Sequence, residues 1–157
     1  VEYSQIFRWQ EALCLQLRTQ FQRVGVTLEL RQITDADMRA RTAPNRRDLP
    51  FFTFMDNPIV LDPVYTLFLN AHSQGASNRN DFRNADFDRL VDQALVEQNP
   101  ERRADLVRQA QRMHTTDATW LMTQYPGSFE VMAPNIRGWI WQPDLHERWV
   151  DLRVERA

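Results

Sequence analysis

Residues 75–90 read GASNRNDFRNADFDRL, a polar loop that leads directly into a run of regularly spaced apolar residues. Asn84 or Asp86 is the predicted helix cap, because a short polar side chain there accepts hydrogen bonds from the first backbone N–H groups of a helix. The apolar residues that follow recur every three or four positions, which is the spacing of one helical face. The stretch therefore predicts a capped amphipathic helix, whose apolar face carries Phe87, Leu90, Val91, Ala94 and Leu95.

The segment upstream of this loop predicts a helix, a glycine and a strand in immediate succession. The apolar side chains of residues 6–24 lie on one helical stripe. Gly25 stands where a residue in the left-handed conformation would end that helix. Val26, Leu28 and Leu30 then alternate with polar residues, which is the period of a half-buried strand. This order is the return limb of an α/β unit.

Three further helices are predicted from their capping residues. Thr34, followed by Asp37, is a weaker form of the capping box and predicts a short helix. Asp62 and Asn99 each precede a proline, and proline is well suited to the first position of a helix. Pro63 therefore begins a predicted helix that continues to about residue 70.

The predicted strands alternate with these helices. Residues 49–55 read LPFFTFM, a nearly continuous apolar run that suits a strand buried on both faces, with its proline at the start. Residues 119–131, 136–141 and 148–154 are predicted to be extended. The alternation indicates the α/β class, with a mixed sheet flanked by helices. A length of 157 residues fits one domain, residues 1–157.

The end of the 49–55 strand is the predicted ligand site. In open α/β sheets, ligand crevices form outside the carboxyl ends of the strands. The residues that we expect to contact a ligand are therefore Phe54, Met55, Asp56 and Asn57. The alternative is an ordinary strand-to-helix connection in which Asp56 only caps.

Charge and composition exclude several function classes. A formal net charge of −2 argues against a general nucleic-acid binder. Four basic residues form a local arginine cluster, which we interpret as a solvated loop in preference to an anion site. The arginine cluster consists of Arg39, Arg41, Arg46 and Arg47.

No catalytic or metal-binding motif is present in the sequence. His72, His114 and His146 are far apart and lack the spacing of a metal site. Cys14 is the single cysteine and lies in the first predicted helix, where it is expected to be a small buried hydrophobe. With only four glycines, the chain has no glycine-rich phosphate loop. We therefore expect neither an enzyme nor a cofactor or metal ion.

Taken in order, these features resemble the C-terminal lobe of the family 5 extracellular solute-binding proteins, which are the dipeptide, oligopeptide and nickel receptors of ABC importers. The similarity extends over nearly the whole chain at matching spacings. It rests on the helix–glycine–strand unit at residues 23–30, the strand at 49–55, Asp62 and Pro63, then Ser77, Asn78, Phe82, Asn84 and Asp88, the helix 103–111 beginning at Arg103, and the turn 135–138.

The resemblance implies a fold, a function and a set of structural residues. The fold would be one lobe of a class C periplasmic binding protein (type II periplasmic-binding-protein-like), the distal lobe of a longer protein whose N-terminal lobe is absent. The function would be the substrate-binding component of an ABC importer, periplasmic or lipid-anchored, that delivers a peptide or similar small solute to its cognate permease. Structural roles fall to Asp62, Pro63, Asn78, Phe82, Asn84, Asp88 and Arg103.

One position departs from the family pattern. Many peptide-binding members carry an aspartate three residues before the Asp-Pro pair, where this chain has Ile59. Either Asp56, the nearest upstream acid, takes over the contact with a ligand amine, or the ligand has no amine there. The alternative function is a stand-alone α/β enzyme or regulatory domain that binds an anionic ligand through the arginine cluster.

The C-terminal tail is strongly aromatic. Residues 138–143 read GWIWQP, and Trp149 and Val150 follow shortly after. Exposed apolar patches usually mark an interface. We expect either a two-fold dimer that uses this tail on both copies or a tail that folds onto its own sheet.

Overall fold

Five helices and two small sheets make up the computed structural model, which describes residues 1–44, 46–55, 60–123, 129–141 and 149–155. In the first sheet Glu2–Ser4 pairs in parallel with Arg31–Ile33, and in the second Ile136–Arg137 pairs antiparallel with Arg153–Val154. The elements are β1 (Glu2–Ser4), α1 (Arg8–Gln22), β2 (Arg31–Ile33), α2 (Asp35–Arg41), α3 (Pro63–Ala71), α4 (Ala85–Val96), α5 (Pro100–Thr116), β3 (Ile136–Arg137), a 3-10 turn (Trp149–Asp151) and β4 (Arg153–Val154).

The larger core lies between α3, α4 and α5. The predicted cap of α4 is confirmed at Asn84, whose side-chain oxygen accepts hydrogen bonds from the backbone N–H groups of Asp86 (3.0 Å) and Phe87 (3.1 Å). Four of the five predicted apolar positions of α4 are buried, and Leu95 is exposed. The core consists of Val64, Ala71, Phe82, Phe87, Leu90, Val91, Ala94, Val107 and Ala110.

Asn78 organises the loop that precedes α4. Its side-chain nitrogen donates to the backbone carbonyls of His72 (3.1 Å) and Phe82 (2.7 Å), and its oxygen accepts from the N–H of Phe82 (3.0 Å). These bonds hold Phe82 edge-on to Phe87, with ring centroids 5.2 Å apart. A buried side chain thus supplies the hydrogen bonds that a loop without regular structure cannot supply to itself.

Asp62 and Arg103 join the three core helices. Asp62 caps α3 by accepting from the N–H of Val64 at 2.9 Å, as predicted. Its other oxygen lies 2.7 Å from Arg103 Nη2 in α5. Arg103 Nε also donates to the carbonyl oxygen of Ala94 in α4, at 3.0 Å. The guanidinium therefore holds all three helices at once, and its hydrogen bond keeps the pKa of Asp62 below its ordinary value.

The amino-terminal unit packs α1 and α2 around a short sheet. After α1, Gly25 adopts a positive φ of 80°, and the N–H of Val26 bonds to the carbonyl of Phe21 at 3.0 Å, which confirms the predicted glycine stop. The predicted cap at Thr34 is also confirmed, since its hydroxyl accepts from the N–H of Asp37 at 3.0 Å.

Two strand predictions in this unit are wrong in extent. Residues 26–30 have no regular structure, and β2 begins only at Arg31, which pairs with Glu2. The predicted strand at 49–55 forms one parallel bridge, from Phe52 to Glu2. Both failures have one cause: β1 is three residues long and can pair only three positions on either side. An apolar pattern favours burial, but a strand also needs a partner of equal length.

The C-terminal segments are less regular than predicted. Of the residues predicted as late strands, β3 and β4 contain two each. The described residues of 119–131 have no regular structure. Gly138 has a positive φ of 81° and lies against the carbonyl of Asp151, where any Cβ would overlap. Trp141 and Trp149 are 56% and 70% exposed, so the expectation that this tail folds fully onto its own sheet is wrong for these two rings.

We expect Asp62→Ala to lower the free energy of unfolding by about 1–2 kcal/mol, because it removes a helix cap together with a partly screened ion pair. Asp62→Asn should cost less, because asparagine still caps a helix. Chemical denaturation of both variants at about pH 7 measures the difference. No loss in Asp62→Asn would show that the carboxylate charge contributes nothing, and equal losses in the two variants would show that the cap contributes nothing beyond the ion pair.

The ion pair between Asp62 and Arg103 also makes the free energy of unfolding depend on pH. Because the pKa of folded Asp62 lies below its ordinary value of 3.8, its stabilisation is present above that value and is lost as the pH falls through the lower one. As the pH falls below the ordinary pKa of 3.8, Asp62→Asn should therefore show a shallower loss of stability than the parent chain.

Candidate functional site

A cavity of about 390 Å³ lies between α1, the extended segment 49–54, residues 79–80 and the segment 119–123. This volume falls within the range of small-molecule sites. Its apolar lining comes from Leu13, Leu17, Leu49, Pro50, Phe51, Phe52, Phe54, Trp120 and Leu121. Its polar lining comes from Arg47, Thr53, Arg79, Asn80, Thr119 and Thr123.

The apolar wall of the cavity is formed by one face of α1 together with the segment 49–54. Leu13 and Leu17 lie four residues apart on one face of α1. Phe51 packs on Phe21 of the same helix, with ring centroids 6.2 Å apart, which fixes the segment 49–54 against α1. Trp120 also lines the cavity and packs on His114, with ring centroids 5.8 Å apart. The cavity is thus bounded by parts of the chain that are far apart in sequence.

Arg79 fixes one aromatic ring of the wall. The centre of its guanidinium lies 4.4 Å from the centroid of the Phe54 ring, in a cation–π contact. Its Nη1 donates to the hydroxyl of Thr42 at 2.9 Å. The loop before α4 and the segment 49–54 therefore support each other at this wall of the cavity.

Arg47 and Asn80 place polar atoms in the lining. Arg47 forms an ion pair with Asp81, the residue after Asn80. The side-chain nitrogen of Asn80 donates to the carbonyl oxygen of Thr119 at 3.3 Å. Arg47 Nε and Asn80 Oδ1 are buried and have no hydrogen-bond partner in the described part of the chain. A buried donor and a buried acceptor are thus left unsatisfied in the cavity lining.

Two residues near the cavity are packing groups. Cys14 is fully buried, and burial raises the pKa of its thiol, so the reactive thiolate is disfavoured and the predicted role as a buried hydrophobe is confirmed. His114 is 6% exposed, and burial lowers its pKa. Its ring lies edge-on to Phe82 at a centroid distance of 5.1 Å. His114 Nε2 also lies 3.3 Å from the hydroxyl of Thr119, a residue of the cavity lining.

The structure describes two of the four predicted ligand-contact residues. Phe54 lines the cavity, whereas Met55 is half-buried and does not. Asp56 and Asn57 lie outside the described residues. Their assignment as ligand contacts therefore stays a prediction.

Sequence reasoning missed most of the cavity lining. The sequence predicts Leu13 and Leu17 only as part of an apolar helical stripe, and Trp120 only as part of an extended segment. Arg79 and Asn80 belong to the loop GASNRNDFRNADFDRL, for which the sequence predicts a mainly structural role. The signal that could have indicated a site in that loop is the presence of two polar side chains, the long one of Arg79 and the amide of Asn80, which both donates and accepts hydrogen bonds.

Each member of the arginine cluster has a carboxylate partner. Arg39 pairs with Asp35, and Arg47 with Asp81. Arg41 and Arg46 both pair with Asp48, at 2.9 and 2.7 Å, and Arg41 also contacts Glu2. These carboxylates offset the positive charge on which an anion site would depend.

The described ranges contain no group of three or more His, Cys, Asp or Glu side chains that could hold a metal ion. None of the helices in these ranges has the length and apolar character needed to cross a membrane.

The chain is similar in sequence and in fold to parts of known proteins. No family model matches the chain. Over 120 residues it is 26% identical to Heme-binding protein A of Haemophilus influenzae, a match that covers 76% of this chain and 22% of that protein. The chain therefore spans about a fifth of the length of this curated relative.

Solved structures extend the comparison to the whole chain. The oligopeptide-binding protein AppA of Bacillus subtilis, solved with a nonapeptide, superposes with a TM-score of 0.81 at 14% identity, over 99% of this chain and 31% of that one. A nickel ABC transporter structure from Bacillus halodurans gives 0.64 at 18% identity, over 75% of this chain and 24% of that one. The predicted α/β fold is thereby confirmed, and it is similar to that of these solved proteins.

Proposed function

We propose that this chain is part of the substrate-binding component of an ABC importer and that it captures a peptide or a similar small solute. The observation that carries the proposal is the likeness to an oligopeptide-binding protein over 99% of the chain. A cavity lined by aromatic and aliphatic side chains with a few polar groups agrees with it, because solute sites have this composition. The partner that receives the solute would be a cognate ABC permease, and the location would be periplasmic or lipid-anchored.

We propose further that residues 1–157 form one domain, the distal lobe of a two-lobed receptor. The chain corresponds to 31% of the length of the oligopeptide-binding structure and 22% of the heme-binding relative. A second lobe would supply the opposite wall of the cleft and close on the solute by a hinge motion.

Binding without catalysis is the favoured activity. The polar side chains of the cavity lining among the described residues are those of arginine, asparagine and threonine. One of these hydroxyls, on Thr119, lies 3.3 Å from His114 Nε2, and His114 is itself packed edge-on against Phe82. The rival proposal, an enzyme or regulatory domain that holds an anion on the arginine cluster, loses its support because the cluster is paired with Asp35, Asp48 and Asp81.

The solute contacts that we propose are Phe54, Met55, Asp56 and Asn57. Phe54 supports this assignment, since its ring lines the cavity and is held by Arg79. Asp56 would meet an amine of the solute. If Asp56 instead only caps the following segment, Phe54 still lines the cavity.

Titration of short peptides into this chain alone should give no dissociation constant of micromolar or better, about −8 kcal/mol, because one lobe supplies only one wall. The same peptides should raise the melting temperature of the longer protein, since a ligand that binds only the folded state stabilises it. Calorimetry and thermal unfolding measure the two effects. Micromolar binding to the chain alone would overturn the two-lobe proposal, and no binding to either form would overturn the receptor function.

In the longer protein, Asp56→Asn should weaken an amine-bearing peptide by about 2–5 kcal/mol, because it removes one partner of a desolvated charge pair. The matched control is Asp62→Asn, whose side chain is committed to Val64 and Arg103 and should leave affinity unchanged. Calorimetry with a peptide and its N-acetylated form separates the amine contact from the rest. Equal affinity in the parent and Asp56→Asn would return Asp56 to a capping role.

The tail remains a candidate surface for self-association. Ile140, Trp141, Trp149 and Val150 are 53%, 56%, 70% and 88% exposed. We expect the isolated chain to form a two-fold dimer through these residues, and light scattering at increasing concentration measures it. Trp139→Ser combined with Trp141→Ser should abolish the dimer without loss of helix content. A strictly monomeric parent chain would contradict the expectation.

A further inference from the structure

His114 joins the helical core to the cavity wall. Its ring lies edge-on to Phe82, with centroids 5.1 Å apart, and 5.9 Å from the ring of Phe87. The same imidazole places Nε2 at 3.3 Å from the hydroxyl of Thr119, and its centroid lies 5.8 Å from that of Trp120. Thr119 and Trp120 both line the cavity, whereas His114 does not. His114 can therefore act on the cavity only through these two residues.

The segment 119–123 leaves α5 through an unfavourable turn. Ala118 has a φ of 51°, in the left-handed region that its Cβ disfavours. Such a conformation persists where the surrounding contacts impose it. The segment has no regular structure, so no strand ladder holds it. It is held instead by side chains, namely His114 and Asn80, whose nitrogen donates to the carbonyl of Thr119 at 3.3 Å.

The surroundings of His114 favour its neutral form. Burial lowers the pKa of His114 below its ordinary value of 6.5, and this effect outweighs the attraction of Asp117. Asp117 is the charged group that acts on the ring, and it also accepts a hydrogen bond from Asn84 at 3.1 Å. The four side chains that contact the ring from the loop before α4, from α4 and from the cavity wall are uncharged. A positive charge is thus poorly solvated at this position.

A protonated His114 reaches water most readily through the cavity wall. The hydroxyl of Thr119 can accept from a charged imidazole, so the unfavourable change is the charge on a ring that is 6% exposed. Phe82 and Phe87 are 6% and 0% exposed and belong to the helical core. Displacement of Thr119 and its segment leaves that core intact and hydrates the ring. It also allows the backbone at residue 118 to leave the left-handed region.

We propose that His114 is the positioning residue of this cavity wall, whose neutral ring holds Thr119 and Trp120 in place and whose protonated ring releases them. The inference rests on the proposed binding function and adds its regulation, because the cavity loses one wall in mildly acidic solution. Since the pKa of buried His114 lies below 6.5, the closed wall is favoured above that pH and is lost progressively as the pH falls below it. One proton changes the ratio of open to closed wall by at most about tenfold per pH unit.

The test follows the indole N–H signal of Trp120 by NMR, assigned by its loss in Trp120→Phe. Spectra of the chain are recorded from about pH 7.5 to about pH 5, the range in which histidines titrate, with a soluble gadolinium chelate that broadens exposed signals. The Trp120 signal should shift and broaden as the pH falls. Trp9 is the internal control, because it packs on Phe7 with centroids 6.0 Å apart, and its signal should not change.

Variants assign the pH response to the named residue. His114→Gln keeps an amide that can bond to the hydroxyl of Thr119 and cannot become charged, so Trp120 should remain protected at both ends of the pH range. The matched control is His72→Gln, which alters a buried histidine that stacks on Phe68 and does not line the cavity, and it should retain the response. Circular dichroism checks that each protein is folded at both pH values. If a variant does not fold, the behaviour of Trp120 relative to Trp9 in the unaltered chain decides.

The outcomes separate this inference from the proposed function. A Trp120 signal that does not respond to pH, or a response that persists in His114→Gln, overturns the role of His114. Equal broadening of Trp9 and Trp120 also overturns it, because the change would then be general unfolding. None of these results bears on the receptor function, which is decided by peptide binding to the longer protein at neutral pH.

Discussion

The contact between Arg103 and Asp62 is the constraint on which the helical half of the molecule depends. One guanidinium reaches the cap of α3 at Asp62 and the carbonyl of Ala94 near the end of α4, while its own backbone belongs to α5. The relative position of the three helices fixes the two ends of the loop between α3 and α4. Asn78 then shapes the loop from within, and Arg79 and Asn80 are delivered to the cavity as a result.

Local signals in the sequence were reliable because they depend on a few neighbouring residues. The caps at Thr34, Asp62, Asn84 and Asn99 all accept the hydrogen bonds that their positions predict. The glycine stop at Gly25 is of the same kind. A cap is satisfied within three residues, so nothing distant can overrule it.

Strands and the cavity could not be predicted to the same extent. The apolar runs at 26–30 and 49–55 indicated burial correctly in part, but the length of a ladder is set by its partner, and β1 has three residues. The cavity combines Leu13 with Trp120, more than a hundred positions later. Of the predicted ligand contacts, only Phe54 is found in the cavity lining among the described residues. The expectation that ligands bind at the carboxyl ends of strands identifies one wall of a cleft and says nothing about the other walls.

Because Cys14 is completely buried, modification of its thiol measures local opening of the chain. Its thiol lies in α1 beside the hydroxyl of Thr53, in the segment that forms the cavity wall. A reagent can meet this sulfur only when the helix and the segment separate, an event that is distinct from global unfolding. Because burial also disfavours the reactive thiolate, the thiol does not react while this contact is closed. The rate of thiol modification therefore measures how often the contact between α1 and the segment around Thr53 opens. A molecule that occupies the neighbouring cavity changes that rate.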